Sequence, residues 1–188
     1  MTLIPQLENA VRRLQIVDVT LKSINATLAD DFVPELSGEI DLLAVQTISP
    51  VCKSIHRYDG VEDDIHRRRS IFEMFAGLRL LRPHKDGHSN LSAEEVSRLE
   101  CAKVECYFLV GYDEISASDE FLDDDALAHF AQHNVPFNMW PYWREVVQSA
   151  CSRMGLPRVV LPTHRLRKSA TKDSSQYEMD VQNGSSVG

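Results

Sequence analysis

Between Leu14 and Leu21 the apolar residues Val17, Val19 and Leu21 alternate with Asp18, Thr20 and Lys22, the period-two pattern of a strand with one buried face. The alternation recurs twice, more strongly. Phe72, Met74, Ala76, Leu78 and Leu80 form an apolar row opposed by Glu73 and Arg79, and Ala102, Val104, Cys106, Phe108, Val110 and Tyr112 form a second row opposed by Lys103 and Glu105. From Glu39 to Ile48 the pattern differs: Ile40, Leu42 and Ala44 occupy one face, Leu43 and Val45 the other, which predicts a strand buried on both sides. Pro34 and Gly38 punctuate the chain before it, and Pro50 ends or bends it. The stretch from Ser54 to Arg69, with His56, Arg57, Asp59, Gly60, Glu62, Asp63 and Asp64, is polar and turn-rich and predicts a surface loop, with room for irregular strand at its edges.

Helical grammar appears later in the chain. Arg82 to Asn90 contains Pro83, Asp86 and Gly87, and Ser92-x-x-Glu95 then forms a capping box that opens a short helix ending near Leu99. After Ser118 the acidic residues Asp119, Glu120, Asp123, Asp124 and Asp125 suit a helix N-terminus, and Leu122, Ala126, Leu127, Phe130 and Ala131 keep helical spacing to about Asn134. A longer helix is expected from Asn138, with Pro141 tolerated in its first turn. Met139, Trp143, Val146, Val147, Ala150 and Met154 form its apolar stripe, and Gly155 stands just past its end. Four strands followed by two helices, without βαβ alternation, predict an α+β fold: a four-stranded antiparallel sheet with the two helices packed on one face.

At 188 residues, 43% of them hydrophobic, the chain has the size of one domain, which we place at residues 1–167. Residues 168–188 lack apolar periodicity and are expected to be disordered. A net charge of -8 opposes a phosphate backbone, so nucleic acid is not an expected partner. No apolar run approaches the ~20 residues of a membrane-spanning helix, and Glu8, Arg12 and Arg13 interrupt the region where a signal peptide carries its apolar core. Cys52, Cys101, Cys106 and Cys151 form no CxxC pair, in keeping with a reduced, cytoplasmic compartment. GxSxG, HExxH, Walker and GxGxxG motifs do not occur, so the expectation is a protein without enzymatic activity or cofactor. His84-x3-His88 has metal-like spacing but lacks a neighbouring Cys or carboxylate motif, and the expected metal content is none.

The densest feature is Phe137-Asn138-Met139-Trp140-Pro141-Tyr142-Trp143-Arg144-Glu145, an aromatic followed by Pro-Tyr-x-Arg-Glu at the head of the long helix. This string resembles the signature of the SecB family of export chaperones. The order of elements from Cys101 to Leu161 is similar as well, including Arg153-Met154-Gly155-Leu156-Pro157 at the helix end. The longer connection from Arg82 to Leu99 resembles SecB-like chaperones of toxin–antitoxin–chaperone modules. The resemblance implies an ATP-independent holdase that binds unfolded polypeptides in apolar grooves, and a homotetramer, a dimer of dimers with helices between two eight-stranded sheets. Its partners would be unfolded clients together with the translocase motor or an antitoxin. In relatives an acidic sheet surface meets that motor, which makes Asp30-Asp31, Glu62-Asp63-Asp64 and Asp123-Asp124-Asp125 candidates for docking, although acidic groups are most often solvated faces.

On this reading Phe137, Met139, Trp140, Tyr142 and Trp143, with Leu42 and Val45, are the candidate polypeptide-binding residues, because rings offer large contact area and Met adapts its shape. The competing reading is that rings at helical spacing belong to the core, and we assign Trp143 to the buried stripe but Trp140 and Tyr142 to a groove. Pro141, Tyr142, Arg144 and Glu145 are the structural signature. Arg144 and Glu145, adjacent on a helix, point in different directions and are expected to form structural salt bridges. A protein-interaction adaptor with one fixed, folded partner is the alternative function.

Overall fold

A computed structural model describes residues 5–38, 40–62, 65–85, 87–116 and 121–161. In chain order these form α1 (Pro5–Arg13), β1 (Leu14–Leu28), β2 (Ala44–Glu62), β3 (Ile65–Leu81), α2 (Ala93–Leu99), β4 (Glu100–Ser116), α3 (Asp124–His133) and α4 (Val135–Arg153). The strands make one antiparallel sheet in the order β1-β4-β3-β2, so the chain leaves the β1 edge and crosses to the opposite edge through the segment 29–43. The α+β architecture expected from the periodicity is the one observed.

The two strongest apolar rows occupy the central strands and share one face, since Phe72 lies opposite Val110, Met74 opposite Phe108 and Leu78 opposite Val104. On this inner face α3 and α4 bury them. Tyr112 packs edge-on against both Phe72, at 5.5 Å, and Phe130 of α3, at 4.9 Å, the geometry that aromatic quadrupoles favour. Met139, Trp143 and Val147 of α4 have no exposed surface. Helix ends follow local rules. Ser92 and Glu95 complete the capping box of α2, and the Asp123 carboxylate accepts from the Ala126 N–H at 2.8 Å to cap α3. Gly155, at φ +68°, reverses the chain after α4 so that the Leu156 N–H reaches the Cys151 carbonyl at 3.0 Å.

Several expectations need correction. Ser54 to Arg69 is not a loop: apart from residues 63 and 64, which are not described, it is the outer half of the β2–β3 hairpin. Its charges mislead because they are satisfied across the sheet. Asp59 stands opposite Arg68 and is ion-paired with it, and Arg69 holds Asp113 of β4 through two bonds of 2.7 and 3.0 Å. The strand expected over Glu39–Ile48 begins only at Ala44, because Ile40–Leu42 forms a 3-10 turn. Pro50 does not end β2; it sits in a register shift between Ile48 and Val51, where an edge strand tolerates a missing donor. β1 runs to Leu28, well past Leu21, and register shifts between Ile16 and Asp18 and between Leu21 and Ser23 interrupt its alternation.

α4 starts at Val135 and not at Asn138, so Pro136 holds the first-turn position and Pro141 lies inside the helix. α1 carries no expectation from the sequence reading. It buries Leu7 and Ala10, and its last residue, Arg13, pairs at 2.8 Å with Glu114, a fully buried carboxylate that also accepts from the Leu122 N–H at 3.0 Å. One acidic side chain thus joins α1, β4 and the approach to α3. The segment 168–188 lies outside the described residues, as does all of the chain after Leu161.

Candidate polypeptide-binding surface

Long strands and short helices set the shape of the surface. Strands of 15 to 19 residues extend roughly 50 to 60 Å, whereas the 19 residues of α4 cover ~28 Å and the 10 of α3 ~15 Å, so neither helix runs the full length of the strands. The inner rows of the central strands β3 and β4 are buried, and exposed apolar residues of that face lie on edge strand β1. Val19, Leu21 and Ile24 lie opposite Val110, Phe108 and Cys106 and therefore point to the helix side. Leu21 and Ile24 nevertheless stay exposed, Ile24 at 46%, together with Ile16 and Val17.

Two contacts place α4 alongside this row. At its start the Asn138 amide donates to the Tyr112 hydroxyl at 2.8 Å, and Tyr112 pairs with Ile16 of β1. At its end a Cβ placed on Gly155 would fall 3.7 Å from Pro34, so the crossover segment abuts the helix terminus. That crossover exposes Val33, Leu36 and Leu42, the last two at 84% and 65%. Exposed apolar residues therefore border α4 at both of its ends. Singly scattered exposed hydrophobics are ordinary; here they gather on β1 and on the crossover, which makes this side of the molecule the candidate surface.

The residues singled out from the sequence divide between this surface and the core. Phe137 and Tyr142 are exposed, at 51% and 47%, as is Leu42, while Val45 is half-buried against the core. Met139 and Trp143 are fully buried, Trp143 as expected. Trp140 is only 4% exposed, which corrects its assignment to a groove. Helical geometry explains the difference: Trp140 is three residues from Trp143, ~60° around the helix and inside the buried arc, whereas Tyr142 is ~100° away on one flank and Phe137 ~120° away on the other. Ile16, Val17, Leu21, Ile24, Val33 and Leu36 are additions that the sequence reading did not make. Their exposure depends on where the helix layer stops, which no local pattern encodes.

Several polar groups near the surface are committed to structure. Among the acidic candidates, Asp31 pairs with Arg82 at 2.7 Å, Asp123 caps α3 and Asp124 pairs with Arg57. Arg82 holds the Asp31 carboxyl below the usual carboxylate range, and Arg68 does the same for Asp59. The side chains of residues 62–64 lie outside the described residues. The salt bridges expected of Arg144 and Glu145 are not formed among the described residues, where the Arg144 Nε is buried without a hydrogen-bond partner.

On the outer sheet face Ser54, His56 and Glu73 approach one another in a way that invites comparison with a nucleophilic relay. Ser54 Oγ lies 3.0 Å from His56 Nε2 and 3.1 Å from Glu73 Oε2, and Lys22 Nζ donates to Glu73 at 2.7 Å. The carboxylate addresses the same ring nitrogen as the serine, at 3.9 Å, and so does not orient the imidazole from behind as a relay requires. It is a surface polar network. His84 and His88 donate to the carbonyls of Gly87 and Arg82, at 3.1 and 3.0 Å, which assigns their loop a structural role. All four cysteines are free, and burial raises the Cys106 thiol to about 12.

No family model matches the chain, and no curated protein is similar to it in sequence. Among solved structures it is similar to a SecB-like chaperone of Mycobacterium tuberculosis in complex with a ChAD peptide from the HigA1 antitoxin, with a TM-score of 0.56 and 16% identity. The match covers 88% of this chain and 100% of that one. At this identity the likeness establishes a shared fold.

Proposed function

We propose that the protein is an ATP-independent chaperone that holds unfolded or aggregation-prone polypeptide against the apolar surface bordering α4. The observation that carries the reading is the exposed series Ile16, Val17, Leu21, Ile24, Val33, Leu36, Leu42, Phe137 and Tyr142, on a fold shared with a chaperone solved with a peptide bound. Burying such residues against a client contributes ~25 cal/mol per Å² of apolar area, spread over contacts that require shape adaptation more than a fixed sequence. Two supports favour care of an antitoxin over general export. The structural neighbour binds an antitoxin peptide, and the acidic groups available to dock a basic motor are in part consumed by Arg57, Arg82 and the cap of α3. A homotetramer, in which copies share the uncovered inner face and leave grooves between them, belongs to the same proposal.

The test is suppression of aggregation of a chemically denatured model protein on dilution. The parent chain should reduce light scattering in proportion to its concentration without nucleotide. Replacing Leu21, Ile24 and Tyr142 by Ser should weaken that effect at least ~10-fold while the circular dichroism spectrum stays native. Full suppression by the folded variant would sink the proposal.

A further inference from the structure

α3 carries a pair of histidines that the chaperone reading does not use. His129 and His133 stand four residues apart, so their side chains emerge from the same helix face one turn from each other. Both are half-buried, with ring centroids 6.5 Å apart and planes inclined at 39°. His133 Nδ1 lies 2.8 Å from the His129 carbonyl oxygen. A carbonyl oxygen only accepts, so the Nδ1 carries a proton and, in the neutral ring, the Nε2 offers its lone pair. A ring whose other nitrogen donates to a backbone carbonyl is the arrangement that orients histidine ligands in metal sites.

We infer that His129 and His133 form a two-point chelate on α3 for a borderline divalent cation of the zinc or nickel class. Imidazole suits these ions at ligand distances of ~2.0 to 2.1 Å, and residues four apart on a helix are neighbours on its surface, the spacing by which two histidines of one helix share a metal. Among the described residues no third His, Cys, Asp or Glu stands close enough to complete a cage, so water fills the remaining positions and the ion exchanges freely. Asp125, one turn before His129 on the same stripe and exposed, adds negative potential beside the ion. By contrast Asp123 caps the helix and Asp124 is held by Arg57. The bound cation would tie the last two turns of α3 together, at the junction with α4.

Titration calorimetry with zinc chloride on the full chain tests this. One site per chain is expected, lost at least ~10-fold in affinity in His133→Asn and in His129→Gln, and kept within ~2-fold in the control pair His84→Asn, His88→Asn, whose rings serve the loop. Zinc at about ten times its Kd should also raise the melting temperature by roughly 3 to 6 °C in the parent and not in the variants. Binding that survives in both α3 variants, or disappears in the control pair, overturns the inference. So does the absence of a calorimetric signal with the parent chain. If His133→Asn unfolds, His129→Gln alone decides.

Discussion

Trp140 and Tyr142 are two positions apart in the densest aromatic cluster of the chain, yet one is core and the other surface. Their substitutions should separate stability from client binding. Trp140→Ala is expected to cost ~3 to 5 kcal/mol, as deletion of a buried ring does, and Tyr142→Ala less than ~1 kcal/mol; chemical denaturation of the two variants checks the ranking. The buried carboxylate of Glu114 belongs to the same scale. Removing it leaves the Leu122 N–H unsatisfied and one Arg13 partner lost, so Glu114→Ala should destabilise by ~3 to 5 kcal/mol, read from the shift in urea midpoint. Carboxylates held by arginine set the acid limit. Arg69 lowers the Asp113 carboxyl below its ordinary value of 3.8, so the pair stabilises the fold above that value, and the contribution is lost as pH falls through the lowered one. Asp113→Asn should therefore flatten the stability-against-pH curve below about pH 4 relative to the parent, measured by thermal melts.

Element by element, the central sheet and the helix layer were readable because burial there follows period. The even-numbered rows of β3 and β4 and the stripe of α4 map directly onto the observed core. Where charge is balanced across strands the reading failed: Asp59 with Arg68 and Arg69 with Asp113 make a strand pair look like a loop when each residue is seen alone. β1 was cut short for a different reason, since two bulges shift its alternation and its later residues, Ser23, Asn25 and Thr27, are polar on the outer side. The start of α4 was misplaced because Asn134 serves as the last cap of α3 and the first of α4, a single-residue junction that leaves no loop to detect. Pro141 lies in that helix on the solvent side, where its missing N–H removes a bond to the Phe137 carbonyl. Pro141→Ala should restore the bond and raise the melting temperature; a fall would mean that packing depends on the proline.

At the scale of the whole molecule, a helix layer that buries the central strands leaves edge strand β1 and the crossover with exposed apolar residues, and the chaperone reading rests on them. The candidate site was half legible. Phe137 and Tyr142 emerged from the family-like string and Leu42 from the apolar run Glu39–Ile48, whereas the exposure of Ile16, Leu21 and Ile24 required knowing where the helix layer stops. On the proposed reading copies of the chain share this open edge, and light scattering at micromolar concentration should then give about four times the 21.3 kDa chain mass. The competing adaptor reading shares the fold and the surface but differs in which state of the partner it prefers. The direct measurement is therefore the affinity of the parent chain for one small protein in two forms, a stabilised folded variant and a permanently unfolded one of matched length, by fluorescence anisotropy. A holdase binds the unfolded form at least ~100-fold more tightly, because only that form exposes apolar segments to bury against β1 and α4. Equal affinity for the two forms, or tighter binding of the folded one, contradicts it.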